Sequence, residues 1–371
     1  MNRLVISTIG TSLLTNQINR GNPDEKDWFP RLRDSANLTL EKTPPEAKAI
    51  LESLKERALE KLKEGTVGKI RSASAELNGI YGIYEENLQA GKQDVHLLIA
   101  TDTAQGEGTA NIVGDFLKSH GIANVQIWKP KGLSTASTEV FTNGIDELLE
   151  QIDEVIPGYK ESGYRIFFNL VGGFKSLQAY LNTIGMFYAD EIIYIFEGPS
   201  SEMITIPRLP IAIDRSIIDP MKFALMAAGE IKVSELGDVP ETTVVKADDV
   251  ATLSNWGKLT WNNCKLDLLS QDLLPFPGLE YEKSFVRDYK DCRDKKERTR
   301  LQELLAKVSY LLTKNNGDTA SLTGVKYDVY TNKNGIAHFR YDDGRRVSCI
   351  KEGQVLKLRH YGEHDYVNDN P

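Results

Sequence analysis

Cysteine is scarce in this chain. Its 371 residues hold three, Cys264, Cys292 and Cys349, odd in number and far apart. They suit a reducing cytosol and argue against a disulfide framework and a zinc site. No run of about 18 apolar residues occurs, so no membrane span is expected. The chain reaches apolar Leu4-Val5-Ile6 almost at once, too early for a signal peptide, and a cytoplasmic protein is expected. Two phosphate-binding signatures are missing as well. No GxGxxG follows the first strand, which argues against a dinucleotide cofactor, and no GxxxxGK(S/T) marks a P-loop NTPase.

What is present is a globular composition, 40% hydrophobic and 26% charged, long enough for two or three domains. The net charge of −8 is unevenly spread. Leu279 to Pro371 carry 18 Lys and Arg against 15 Asp and Glu, whereas the rest carries 27 against 38. The C-terminal part is the basic one, and a polyanion would be met there.

Nearly all-apolar strands alternate with helical patterns through the first 200 residues. Strands are expected at 3–9, 95–100, 125–128, 166–170 and 192–196, the last followed by Glu197-Gly198-Pro199, with a short antiparallel return at 203–206. One helix opens with Thr43 as cap, Pro44 at the first position and Glu46 completing a capping box, and carries an apolar face of Ile50, Leu51, Leu54, Ala58, Leu59 and Leu62. A second is expected over Gly68–Leu88. Residues 15–42 are polar and aperiodic, a surface loop or lid. Strands and helices in this order make an α/β domain with a parallel sheet covered on both faces, which binds ligands beyond the carboxyl ends of its strands. The turns that should meet there are small and hydroxyl-rich: Gly10-Thr11-Ser12, Thr101-Asp102-Thr103, Ser134-Thr135 and Gly172-Gly173-Phe174-Lys175. Such an edge suits phosphates and bases. The Gly172-Gly173 break lets backbone approach a ligand, and the following helix presents free N–H groups. Lys175 stands in the first helical turn, where the dipole disfavours a cation, and so suggests an anion in front of it.

Residues 214–278 read as a helical linker, closed by Pro275-Phe276-Pro277-Gly278 as a domain boundary. Beyond it, an extended Glu280–Phe285 stretch and an amphipathic helix from Asp294 to Leu312 precede four strands: Lys326–Tyr330, Ala337–Tyr341, Arg346–Ile350 and Val355–His360. Turns at Asn334-Gly335, Asp342-Asp343-Gly344 and Lys351-Glu352-Gly353 read as hairpins, giving a small α+β domain with an antiparallel meander. Three of the five histidines fall here. The meander carries Lys326, His338, Arg340, Arg345, Arg346, Lys357, Arg359, His360, His364 and Tyr366. His338 and Arg340, two apart, share a face, as do Lys357 and Arg359. Cations, imidazoles and a phenol, without carboxylates at metal-ligand spacing, suit metal-independent RNA cleavage by the substrate's own 2′-OH. A solvated basic face without catalysis fits the same residues.

Two family resemblances rest on these motifs. Ser7-Thr8-Ile9-Gly10-Thr11-Ser12, Thr101-Asp102-Thr103 and Asn169-Leu170-Val171-Gly172-Gly173-Phe174-Lys175-Ser176 resemble a CARF domain, the Rossmann-like sensor of type III CRISPR effectors, over residues 1–213. The resemblance implies a homodimer that binds cyclic oligoadenylate across its two-fold axis, with cyclic tetra-adenylate the expected activator. It implies that Thr11, Ser12, Thr101, Asp102, Gly172, Gly173 and Lys175 line that site, and the turn residues Gly10, Thr103, Ser134, Thr135 and Phe174 are expected beside them. Residues 279–371 resemble a RelE-type toxin, through the helix, the Leu322-Thr323-Gly324 turn, the meander and the ending Gly362-Glu363-His364-Asp365-Tyr366, without that family's long C-terminal helix. This resemblance implies metal-free mRNA cleavage in the ribosomal A site, with Arg346 matching the family's central-strand Arg, His364 and Tyr366 its C-terminal groups and Lys326 its strand lysine. Together the two imply a cyclic-oligoadenylate-activated, ribosome-dependent mRNA endoribonuclease that inhibits translation in antiviral defence. Alternatives are a ring nuclease that degrades its own ligand, a regulator that binds nucleic acid, and a ribonuclease acting on free RNA. For the last, Arg359 and His364 have the R-x4-H spacing of HEPN ribonucleases.

Overall fold

A computed structural model describes residues 1–195, 202–331, 333–340, 342 and 344–371. The expected Phe196 end of the fifth strand, the Glu197-Gly198-Pro199 turn, Tyr341 and Asp343 lie outside the described residues. The chain divides into two compact units, Met1–Ile211 and Ala212–Pro371.

In the first unit, β1 (Arg3–Thr8), β2 (Val95–Ile99), β3 (Asn124–Trp128), β4 (Arg165–Asn169), β5 (Glu191–Ile195) and β6 (Met203–Pro207) form one sheet of order β3-β2-β1-β4-β5-β6. The first five strands are parallel and β6 returns antiparallel, as the alternation of strands and helices predicts. β2 is buried along its whole length and β1 almost so, which is why both read as unbroken apolar runs. The strand order reverses between β1 and β4, so the loops leaving these two strands flank the crevice where open α/β sheets bind ligands.

Three local expectations differ. The helix on Ile50, Leu51, Leu54, Ala58 and Leu62 runs Pro45–Glu64, but Thr43 does not cap it. The Thr43 hydroxyl donates instead to the Thr39 carbonyl at 2.8 Å, and Leu59 faces out. The single helix over Gly68–Leu88 is two, Val67–Ala73 and Ala75–Ile83. Ser74 breaks it with extended backbone and accepts from the Leu77 N–H, starting a new helix. Residues 15–42 contain a helix, Trp28–Asp34, anchored by buried Leu32. Nearby, both carboxylate oxygens of buried Glu25 accept from the Arg57 guanidinium at 2.9 Å.

The second unit has two sheets. β7 (Ile231–Lys232), β8 (Val244–Ala247) and β9 (Val250–Leu253) make a small antiparallel one of order β7-β9-β8. β10 (Leu279–Tyr281), β11 (Asp328–Val329), β12 (Ile336–Arg340), β13 (Arg345–Glu352) and β14 (Val355–Glu363) make the other, of order β10-β14-β13-β12-β11. The last four form the antiparallel meander, and β10 adds in parallel at the edge of β14. Asn334 and Gly335 take φ of 50° and 79°, the left-handed pair at the centre of a tight turn that the Ile336 N–H closes on the Lys333 carbonyl at 3.0 Å, within the loop from β11 to β12. β11 is shorter than the expected Lys326–Tyr330 because Lys326 has φ 52° and closes a 3-10 turn rather than extending. The extended Glu280–Phe285 stretch stops at Tyr281. A helix not seen in the sequence, Lys283–Asp291, follows and buries Phe285 and Tyr289, one turn apart. The amphipathic helix spans Lys295–Lys314, capped by Asp294.

One hydrophobic core serves this unit. Phe223, Trp261 and Leu269 from the helical stretch 214–278 share it with Leu301 and Leu305 of the long helix and Phe339, Val347 and Leu358 of the meander. Phe276, within the Pro275–Gly278 punctuation, is buried in the same core. Among the described residues no helix is long and apolar enough to cross a membrane.

Candidate functional site

The loops leaving β1 and β4 press together. The Thr8 hydroxyl donates to the Gly172 carbonyl at 2.6 Å. A Cβ on Gly10 would stand 2.8 Å from the Gly173 backbone nitrogen, one on Gly172 2.4 Å from Glu76 Oε1, and Gly173 has φ +88°. Close approach and a left-handed turn therefore both require glycine here. Glu76 is fully buried beneath them. Its Oε1 accepts from the Gly10 N–H at 2.6 Å and its Oε2 from the Ser74 hydroxyl at 2.7 Å. The Asn169 amide ties β4 to Ser7 Oγ and to the Glu76 carbonyl at 3.1 and 3.0 Å.

Across the crevice, the Thr101 and Thr103 hydroxyls lie 2.9 Å apart, and Thr103 caps the Ala104–Ser119 helix through the Gly106 N–H. Asp102 spans two loops: its N–H donates to the Leu133 carbonyl at 3.0 Å, and its Oδ2 accepts from the Gly132 N–H at 3.2 Å. Both the N–H and the hydroxyl of Thr135 donate to Asn37 Oδ1, at 3.0 and 2.8 Å.

A recess of about 190 Å³ opens among these groups. Of the residues expected to line a ligand site, Gly10, Thr11, Thr101, Thr103, Thr135, Gly173 and Phe174 line it, together with Ile9, Ala36 and Asn37. Ser12, Asp102, Ser134 and Gly172 are not among its walls. Ser12 Oγ accepts from the Ala75 N–H, Ser134 is buried, and Asp102 and Gly172 lock the loops together. Lys175 is exposed as the first residue of the Lys175–Tyr188 helix, which has no side-chain cap. Sequence reasoning missed Asn37 and Glu76: Asn37 lies in an aperiodic stretch, and Glu76 reads as an ordinary surface acid of a helix. A larger groove of about 720 Å³, walled by Leu62, Val67, Ile70, Ile112 and Phe116, contains none of the turn residues. On β2, buried His96 is driven down to about 3 by its loss of water, and its Nε2 lies 2.8 Å from the Tyr84 hydroxyl.

The second unit assembles a different site on the outer face of its large sheet. Register places Asp328, His338, Ser348 and His360 in one row across β11–β14, and Arg340, Arg346 and Gly362 in the next. Strict alternation would turn His360 inward with Leu356 and Leu358. A bulge opposite Ser348/Cys349 adds Arg359, so His360 faces out and Tyr361 takes the core position. The short helix His364–Asp369 packs back on β13 and β14 with Val367 buried. Asn368 Oδ1 accepts from Arg346 Nη1 at 3.0 Å and from the Tyr330 hydroxyl at 2.6 Å. His338 is buried against the Tyr330 ring at 4.6 Å, and its Nδ1 has no partner among the described residues. Burial, then the Arg346 charge, hold it below the ordinary imidazole value.

His360 Nδ1 stands 3.0 Å from Asp288 Oδ2 and 3.1 Å from the Tyr366 hydroxyl, which donates to Asp288 Oδ1 at 3.1 Å. Burial and the Asp288 charge raise the Tyr366 phenol. Of the expected catalytic residues, His338, Arg340, Arg346 and Tyr366 therefore gather on one face. His364 sits at its rim, partly exposed, with Nδ1 2.7 Å from Asp365 Oδ1. Lys326 lies outside both rows, in its left-handed turn, and Arg359, at the bulge, pairs with Glu282 at 3.7 Å. Asp288 escapes sequence reasoning because the helix that carries it does. Among the described residues no group of three or more His, Cys, Asp and Glu side chains is placed to hold a metal ion.

The first unit is thus a mostly parallel α/β domain with a polar recess at its topological switch point. Residues 71–209 of it match the family model of CRISPR-associated protein (Cas_APE2256), a CARF-domain family. The match takes in β2 to β6 with the Thr101–Thr103 and Gly172–Gly173 turns, and it ends before the second unit begins. Over that segment the chain is similar to a CRISPR-associated protein.

Proposed function

We propose that the chain is a cyclic-oligoadenylate-gated endoribonuclease of CRISPR antiviral defence, cutting mRNA on the ribosome. The first unit is the sensor. Its amide- and hydroxyl-walled recess suits adenylate phosphates and bases, and the CRISPR-associated family match over residues 71–209 supports that role. Two copies of the chain would hold one ring, cyclic tetra-adenylate being the preferred ligand. Binding gates the second unit only through a difference in affinity between its resting and active states.

The observation that carries the nuclease reading is the pair of adjacent rows on the second unit's sheet, His338 and His360 beside Arg340 and Arg346. In RNA cleavage of this type the 2′-oxygen loses its proton and bonds to the adjacent phosphorus while the 5′-oxygen leaves, giving a 2′,3′-cyclic phosphate and a 5′-hydroxyl. Guanidinium groups stabilise charge that builds on the non-bridging oxygens, and a neutral imidazole accepts the proton.

The test is mRNA cleavage in a purified translation system, with and without cyclic tetra-adenylate and with and without ribosomes. Cleavage only when both are present is expected. Ligand-gated cleavage of naked RNA would replace the ribosome-dependent reading by a free-RNA nuclease. Tight ligand binding without RNA cleavage in any tube would leave a non-nuclease sensor, or a ring nuclease if the ligand itself is linearised.

A further inference from the structure

We infer that His360, oriented by Asp288, is the proton acceptor of the second unit's cleavage step; this rests on the nuclease reading above. Asp288 comes from the Lys283–Asp291 helix, 72 residues from His360 in the chain, and its side chain is only 8% exposed. Both its oxygens are committed. Oδ2 faces His360 Nδ1 and accepts the Tyr361 N–H at 3.2 Å, while Oδ1 accepts the Tyr366 hydroxyl, with Arg287 at 3.7 Å. A carboxylate at Nδ1 keeps a proton on that nitrogen, which leaves the lone pair on Nε2. The ring is held on its other sides too. Tyr366 meets it edge-on, with centroids 5.7 Å apart, and the His360 N–H is fixed on Ser348 Oγ at 3.1 Å. Nε2 makes no hydrogen bond among the described residues. It belongs to a side chain in the row of His338, next to the row of Arg340 and Arg346.

A purely structural link between the helix and β14 needs one donor at position 360, and an amide would serve. The imidazole adds a second nitrogen that the fold leaves unused. The His364 side chain, by contrast, is 44% exposed and meets Asp365 and Asn368. In the proposed step the 2′-hydroxyl proton moves to Nε2 as the 2′-oxygen bonds to phosphorus. The bond from phosphorus to the 5′-oxygen breaks, and that oxygen takes a proton from water. The imidazolium then returns its proton to solvent. His360 is the catalytic residue in this account, and Asp288 and Tyr366 position it.

The experiment uses the full chain with cyclic tetra-adenylate in the translation system. His360→Ala and His360→Gln should each lower kcat by about 10³-fold with KM nearly unchanged, and added imidazole should restore part of the Ala variant's rate. The Gln variant keeps a donor for Asp288, so its thermal midpoint should match the parent's. Asp288→Asn should cost roughly 10- to 100-fold alone and nothing more when combined with His360→Ala, because the two act as a unit. A parent chain that cleaves nothing overturns the nuclease reading before any variant is made. A parent that cleaves while His360→Gln stays fully active overturns only the proton acceptor. So does a loss that imidazole does not relieve and to which Asp288→Asn still adds its full cost.

Discussion

The two units build polar sites in opposite ways. In the first, the recess is largely turn backbone and a few hydroxyls, with Gly10 and Gly173 in its wall, Gly172 locking the loops behind it and one buried carboxylate, Glu76, holding them from below. In the second, regular strands display long side chains in register, and the backbone only sets their spacing. A backbone-built site follows the shape of its loops, so it is sensitive to any added atom. A side-chain-built site tolerates change around it and fails when one functional group is removed.

The largest expected effect lies in the second unit. Arg346→Ala should lower RNA cleavage by about 10²- to 10³-fold while leaving cyclic tetra-adenylate binding intact, read by single-turnover cleavage and calorimetric titration. Equal loss of both would erase the contrast between the units. In the first unit, Gly172→Ala drives a Cβ to 2.4 Å from Glu76 Oε1. It should destabilise the protein by about 2–4 kcal/mol and abolish ligand binding, with thermal unfolding and titration as readouts. Glu76→Ala strands the Gly10 N–H and the Ser74 hydroxyl. A loss of about 1–3 kcal/mol is expected, and an unchanged midpoint would mean that the loops stand without their support.

The smallest effect concerns acid. His96 is held down to about 3 by burial, against an ordinary value of 6.5. The unfolded chain therefore binds this proton first, and the stabilisation is complete above pH 6.5 and is lost as pH falls toward 3. Chemical denaturation at pH 7 and pH 5 should differ by about 1–2 kcal/mol more in the parent than in His96→Gln. Glu25, lowered from 4.5 to about 2 by its Arg57 hydrogen bonds, acts with the same sign in a lower window, between those two values. In the second unit His338 also has the same sign, with stability falling as pH drops below 6.5.

Much of this architecture was legible in the residues. Unbroken apolar runs marked β1 and β2, and Asn334-Gly335 marked a hairpin, because each signal lies within a few neighbouring positions. The turns were legible as turns. Which of them form walls and which lock loops was not: Gly10 and Thr101 line the recess, whereas Asp102 bridges to the loop of Gly132 and Leu133. The missed helix Lys283–Asp291 hid Asp288, and alternation alone does not place His360 on the outer face, since a single extra residue at Arg359 reverses which face it occupies.

By itself, then, the sequence determined the parallel sheet, its polar edge turns and the basic C-terminal meander, since periodicity and turn chemistry are properties of adjacent residues. Only the tertiary structure decided that Glu76 supports Gly10 from 66 residues away and that Asp288 reaches His360 from 72. A buried carboxylate acquires its partners from whichever strands and helices end beside it, and that neighbourhood is set by packing and register rather than by local pattern.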